Sequence, residues 1–246
     1  MVRSDTMRCS TVGVSLFAGI QPNFGENTVP LRAIIPPLAS RAISSQGVIS
    51  MSSSPQPSYS GMHVKGGLLR ARFLFVVLNH GADTWARVLS NLPDEERASL
   101  KDIVVDNWYP LATLDLVDRA IAEQLGEGDK ENEVFDRLGE FSATSALSGP
   151  FSSLINPDVH SFLSQSALIH HGYQDFGTAS YAPLSDTSGL LTIQYDKAAP
   201  PSFCASGSAY FRHAVEMCGA RSARVTHTRC RSREDAVCEF YFTWQP

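Results

Sequence analysis

Val225-Thr-His-Thr-Arg-Cys230-Arg-Ser-Arg-Glu-Asp-Ala-Val-Cys238-Glu-Phe-Tyr-Phe-Thr-Trp244 lies near the C-terminal end of the chain. It reads as two strands joined by a polar turn, because β-branched and aromatic residues flank the charged run from Arg231 to Asp235. On the second strand a period of two places Cys238, Phe240, Phe242 and Trp244 on one face and Glu239, Tyr241 and Thr243 on the other. One face is therefore a core face, and a cysteine opens it. A closed hairpin brings Cys230 and Cys238 within reach of each other, since cross-strand neighbours sit roughly 4.5–5.5 Å apart.

With His227 beside them and Cys204 upstream, these thiols are the clustered metal-type ligands of the sequence. Tetrahedral structural zinc sites use Cys and His ligands, and Cys204, His227, Cys230 and Cys238 would supply four. Positions 227 and 230 differ by an odd number, so their side chains point to opposite faces of a regular strand. Only a bulge, or the strand ending at Cys230, brings both to one ion. Two other readings stay open, thiols packed as small apolar groups and a cross-strand disulfide. Cys218 reads as packing at a helix end and Cys9 as tail. Five cysteines in 246 residues with 43% hydrophobic content do not form a disulfide scaffold, which favours a reducing cytoplasm.

Outward from the hairpin, Pro200 to Gly219 reads as a helix. Thr178–Leu184 and Leu190–Asp196 read as a strand pair about the turn Ser185–Gly189. The order two strands, helix, two strands is that of an α+β unit with one antiparallel sheet. Before it, Asn156-Pro157 marks a helix start, with Asn as N-cap and Pro in the first turn. Val159, Leu163, Ser166, His170 and Tyr173 share a stripe on that helix. His170 reads as a core histidine with satisfied ring nitrogens; the rival is that His170 and Tyr173 orient a ligand in an apolar pocket. His171 points to solvent.

The upstream half is helical: Gly67–Asn79, Thr84–Leu92, Pro93–Ile103, a helix opened by Trp108-Tyr109-Pro110 and ended by Gly126, and Glu131–Leu147. Ser148-Gly-Pro150 is a hinge. Gly126-Glu-Gly128 follows no strand, so it reads as a helix end and not a dinucleotide loop. Residues 1–60, rich in Ser and Pro, read as disordered; a leader over Val12–Ile20 and a translation start at Met51 or Met62 are the rivals. The expected division is therefore this segment followed by one α+β domain over 61–246, with a helical half (61–155) packed on a sheet half (156–246).

A net charge of -5 argues against a nucleic-acid surface, and no apolar run is long enough to span a membrane. Nucleophile elbows, His-Glu-x-x-His, Walker loops and Cys-x-x-Cys are all absent, so no catalytic residue is nominated.

The Cys-x7-Cys hairpin with its aromatic strand resembles the 4-vinyl reductase domain of phenol-sensing activators. In these, a structural zinc is held by an upstream cysteine, an acid three positions before the first hairpin cysteine, and the two hairpin cysteines. Cys204 stands at the first of these positions, and His227 stands where the acid would. The motifs Val64-Lys-Gly-Gly, Trp108-Tyr-Pro110, Asp118-Arg-Ala120, Gly172-Tyr-Gln-Asp-Phe-Gly177 and His227-Thr-Arg-Cys230 are similar, from about residue 62 onward, to an uncharacterised myxobacterial family. At the turn the sequence departs from the pattern: Glu234, where a Gly is usual, has a Cβ that resists positive φ.

The resemblance implies a non-catalytic, cytoplasmic small-molecule-binding or sensor module for a small hydrophobic or aromatic ligand, with zinc. His170, Tyr173, Trp108 and Tyr109 are its candidate ligand-binding residues. The wider superfamily includes haem-based nitric-oxide sensors, but their Tyr-x-Ser-x-Arg clamp is missing, which implies no haem. The alternatives are an interaction protein forming a homodimer through its helices, and an accessory subunit of a reductase.

Overall fold

The computed structural model describes residues 59–126 and 130–246. The readings of residues 1–58, Cys9 included, lie outside these, as do Glu127 and Gly128.

The helical part opens with a two-stranded strap, β1 (His63–Lys65) paired antiparallel with β2 (Trp108–Pro110). Trp108-Tyr109-Pro110 was a natural helix opening by sequence, yet it is a strand. A residue before proline is pushed to extended backbone, and Pro110 itself caps the following helix at φ -55, ψ 137. Between the two strands lie α1 (Gly66–His80), α2 (Ala82–Ser90) and α3 (Asp94–Ser99). Gly81, at φ 85, ends α1 in a conformation open to glycine. Pro93 flanks α3 as its cap, and Asp94, Glu95 and Glu96 fill its first turn, where the helix dipole favours acids.

Helix α4 (Leu111–Leu125) buries Leu111, Leu114, Val117 and Ile121 at helical spacing, and α5 (Glu131–Leu147) buries Val134, Leu138 and Ala146. The expected helix after Asn156-Pro157 is in fact two, α6 (Val159–Ser164) and α7 (Ser166–Tyr173), broken at Gln165. Its cap is Asp158 and not Asn156. The Asp158 carboxylate accepts from the His160 N–H at 3.0 Å and from the Ser161 hydroxyl at 2.6 Å. Asn156 instead closes a turn upstream, accepting from the Asp158 N–H at 2.9 Å.

The sheet is built from β3 (Thr178–Ser185), β4 (Ser188–Gln194), β5 (Arg221–Arg229) and β6 (Cys238–Gln245), antiparallel in the order β3-β4-β6-β5. Between β4 and β5 runs α8 (Pro201–Met217). On β6, Cys238, Phe240, Phe242 and Trp244 are buried and the residues between them are half-buried. That face meets α8, whose Phe211 ring lies 6.2 Å from Phe240 and 6.0 Å from Phe242.

Helices α5 and α8 touch through their backbones: a Cβ at Gly139 would fall inside the contact shell of the Ser206 carbonyl. Beside this contact Arg72 of α1 reaches Asp118 of α4, Ser142 of α5 and Ser206 of α8. One apolar core runs through the helices and the sheet.

Candidate ligand cavity and cysteine cluster

Where the helices meet the sheet they leave a cavity of about 90 Å³, whose walls include His170, Tyr173, Tyr195, Phe203, Tyr210 and Phe240. The surface it presents is mainly apolar. His170 is both a satisfied core residue and a cavity wall. Its Nδ1 lies 2.5 Å from the Gln174 amide nitrogen and its Nε2 lies 2.8 Å from the Phe176 carbonyl. An amide N–H donates to Nδ1, so the proton sits on Nε2 and is given to the carbonyl. Burial lowers the pKa of this imidazole, which keeps it neutral. His171 is exposed.

Tyr173 also lines the cavity, and burial raises its phenol pKa. Trp108 and Tyr109 do not line it. Pairing with β1 holds them on the strap, where the Lys65 ammonium sits 4.0 Å from the centre of a Trp108 ring that is 43% exposed. The Tyr109 hydroxyl accepts from the Val104 N–H at 3.0 Å. Among the walls that the sequence reading missed are Arg72, Tyr195, Phe203 and Tyr210. Phe203 and Tyr210 stand seven residues apart on α8, a spacing that marks one helical face.

At the hairpin, Cys204, His227, Cys230 and Cys238 each offer a ligand atom, all within 4.8 Å of one another. The Cys204 and Cys230 sulfurs are 3.9 Å apart. With metal–sulfur bonds of about 2.3 Å, two sulfurs of a tetrahedral site stand about 3.8 Å apart. The parity objection to His227 and Cys230 is met in both anticipated ways: the β5–β6 register shifts between His227 and Arg229, and β5 ends at Arg229. Glu234 adopts the left-handed conformation at φ 70 despite its Cβ. Asp235 braces that turn: its carboxylate accepts from the Cys230 N–H at 2.7 Å, and its own N–H donates to the Cys230 carbonyl at 3.2 Å.

The His227 ring lies flat on Phe240, 4.3 Å between centres, and its Nε2 is buried without a hydrogen-bond partner. An imidazole nitrogen beside three sulfurs is a donor set of the kind that thiophilic cations take. The Arg231 N–H donates to the Cys238 sulfur at 3.4 Å. Hydrogen bonding with Cys204 lowers the pKa of the Cys230 and Cys238 thiols and raises that of Cys204, so the proton of the cluster is kept on Cys204 while the other two lean toward thiolate. Cys218, buried at the C-terminal cap of α8, lies outside the cluster.

No protein-family model matches the chain, and no curated protein matches it. Solved structures do. An H-NOX protein from S. oneidensis in the Fe(II)NO ligation state aligns with a TM-score of 0.59 and 15% identity, covering 74% of this chain and 99% of that one. An oxygen-binding H-NOX domain related to soluble guanylate cyclases, in its oxygen complex, gives 0.54 and 10% over 74% and 95%. A structure described as modulating haem redox potential through protein-induced porphyrin distortion gives 0.53 and 11% over 74% and 99%. At these identities the likeness is one of fold: the chain has a mixed α+β, H-NOX-like architecture. The likeness does not single out the 4-vinyl reductase fold that the sequence resembles.

The expectation of no haem is overturned by these neighbours, which include an Fe(II)NO-ligated protein and a haem protein of distorted porphyrin. A missing Tyr-x-Ser-x-Arg clamp is no ground for excluding haem from a chain of this fold. The cavity walls hold His170, Tyr195 and Cys204, residue types that ligate haem iron. At about 90 Å³ the cavity in this conformation does not fit a macrocycle, since sites for drug-sized ligands begin near ~300 Å³. Both nitrogens of His170 are also engaged.

Proposed function

We propose that this chain is a small-molecule-binding, sensor-like module whose ligand is taken up between the helices and the sheet. The observation that carries this reading is the mainly apolar cavity held open where α1, α5, α7 and α8 meet β4 and β6. Its polar wall residue His170 is held neutral and fixed in orientation. Cavities of this make-up, apolar with a few fixed polar groups, are what small-molecule sites require.

In the same reading Cys204, His227, Cys230 and Cys238 form a structural site for a thiophilic divalent cation. Such an ion ties the hairpin turn to the first turn of α8, one wall of the cavity. The orphaned His227 nitrogen and the converging sulfurs support it, as does the resemblance of this hairpin to the 4-vinyl reductase domain. Thermal-shift measurements with a panel of small aromatic, fatty and tetrapyrrole compounds, haemin included, test the module reading. A saturable rise in Tm with at least one class is expected; no response to any class overturns it.

A further inference from the structure

A second depression opens beside the cavity, a groove of about 440 Å³ lined by Lys65, Arg70, Leu74, Val105, Pro150 and Phe151 among others. Leu68, Ser142 and Tyr173 belong to the walls of both, so these three side chains form the partition between them. Glycines make the partition thin on the groove side. A Cβ at Gly67 would stand 3.5 Å from the Tyr173 ring, and a Cβ at Gly172 would press into Phe151, whose ring is 5.3 Å from that of Tyr173. Alone, the inner cavity is smaller than typical ligand sites. With the groove it reaches the ~300–1,000 Å³ those sites occupy.

The two spaces differ in chemistry. The inner one is mainly apolar, and its one cation, Arg72, is already neutralised by Asp118. The groove is also apolar along its floor but carries Lys65 and Arg70, against the single carboxylate of Asp106. Among the described residues Arg70 has no carboxylate within salt-bridge distance, whereas Lys65 donates to the Asp106 backbone carbonyl at 2.7 Å.

Resting on the ligand-binding reading above, we propose that groove and cavity are one tract for an elongated amphiphile, a straight-chain carboxylate. Its head group sits at Arg70 and Lys65 and its alkyl tail passes Tyr173 and Leu68 into the inner cavity. The reverse orientation would bury a carboxylate beside an arginine that has no charge to spare, at a cost that an apolar tail avoids.

The test is isothermal titration of the full chain with octanoate, decanoate and dodecanoate below their micellar concentrations. The comparison ligands are 1-decanol, toluene and haemin. One equivalent of decanoate is expected to bind, about fivefold more tightly than 1-decanol, the order of a half-exposed ion pair. Arg70→Gln should weaken decanoate severalfold, narrowing the gap to the alcohol, and should weaken 1-decanol less. Tyr173→Ala should move the chain-length optimum toward the longer acid; should that variant unfold, Arg70→Gln still decides. Equal affinity for acid and alcohol, or no effect of Arg70→Gln, overturns the proposal. Binding of toluene or haemin without any response to the acids overturns it too, but leaves the ligand-binding module standing. Silence toward all of them removes both.

Discussion

The Arg72 guanidinium grips the Asp118 carboxylate through two nitrogens, at 2.8 and 3.1 Å, with the side chains 2% and 1% exposed. Two charges taken out of water are stable together and costly apart. Asp118→Ala strands a buried arginine and is expected to destabilise the fold by about 3–5 kcal/mol. Arg72→Met with Asp118→Leu removes both charges and should recover most of that loss. Urea denaturation of the single and double variants checks it; equal losses in both would mean that the pair is not the source.

The protein purified without added metal should carry close to one equivalent of a thiophilic divalent cation, read by elemental analysis. Cys204→Ser and Cys230→Ser should each lose it. A strong chelator should lower the Tm of the parent and leave those variants nearly unmoved, because binding energy at such sites is folding energy.

Gly139→Ala forces a methyl group against the Ser206 backbone carbonyl, where no side chain can swing aside. The expected cost is about 1–3 kcal/mol. Gly207→Ala, on α8 with open space at its Cβ, is the control and should be neutral or slightly stabilising.

Burial holds the His170 imidazole below its ordinary pKa of about 6.5. The unfolded chain then binds the proton more readily than the folded one. The stability this residue contributes is full above that ordinary value and falls away as pH drops through it toward the lowered folded pKa. Denaturant midpoints at successive pH values should show this loss, and His170→Asn should flatten the profile over the same interval.

Much of the sheet half was legible because its signals are local. The alternation on β6, the polar run before it and the helical stretch after Pro200 each announce themselves within a few residues. The convergence of the three thiols with His227 was legible too, once a bulge was allowed for, since Cys230 and Cys238 flank one turn. Trp108-Tyr109-Pro110 does lead into α4, with Pro110 as its cap, but its pairing with β1 was hidden because a proline after aromatic residues suits a helix start and an extended strap equally well. The cavity was half visible. His170 and Tyr173 stand out as polar residues on an apolar stripe, but Arg72, Tyr195 and Tyr210 join them through packing between distant segments. Trp108 and Tyr109, conspicuous in sequence, are drawn to the strap by pairing that no local pattern encodes. Haem was wrongly set aside from one short motif, when architecture is shared far beyond the reach of any such motif.

Arg72 ties residues 46, 70 and 134 positions further along the chain to a single guanidinium. Asp118, Ser142 and Ser206 lie progressively further along the chain from this one side chain. The network is complete only when α8 packs against α1, α4 and α5, and refolding should be slow for a largely helical assembly, since closing so wide a loop precedes its reward.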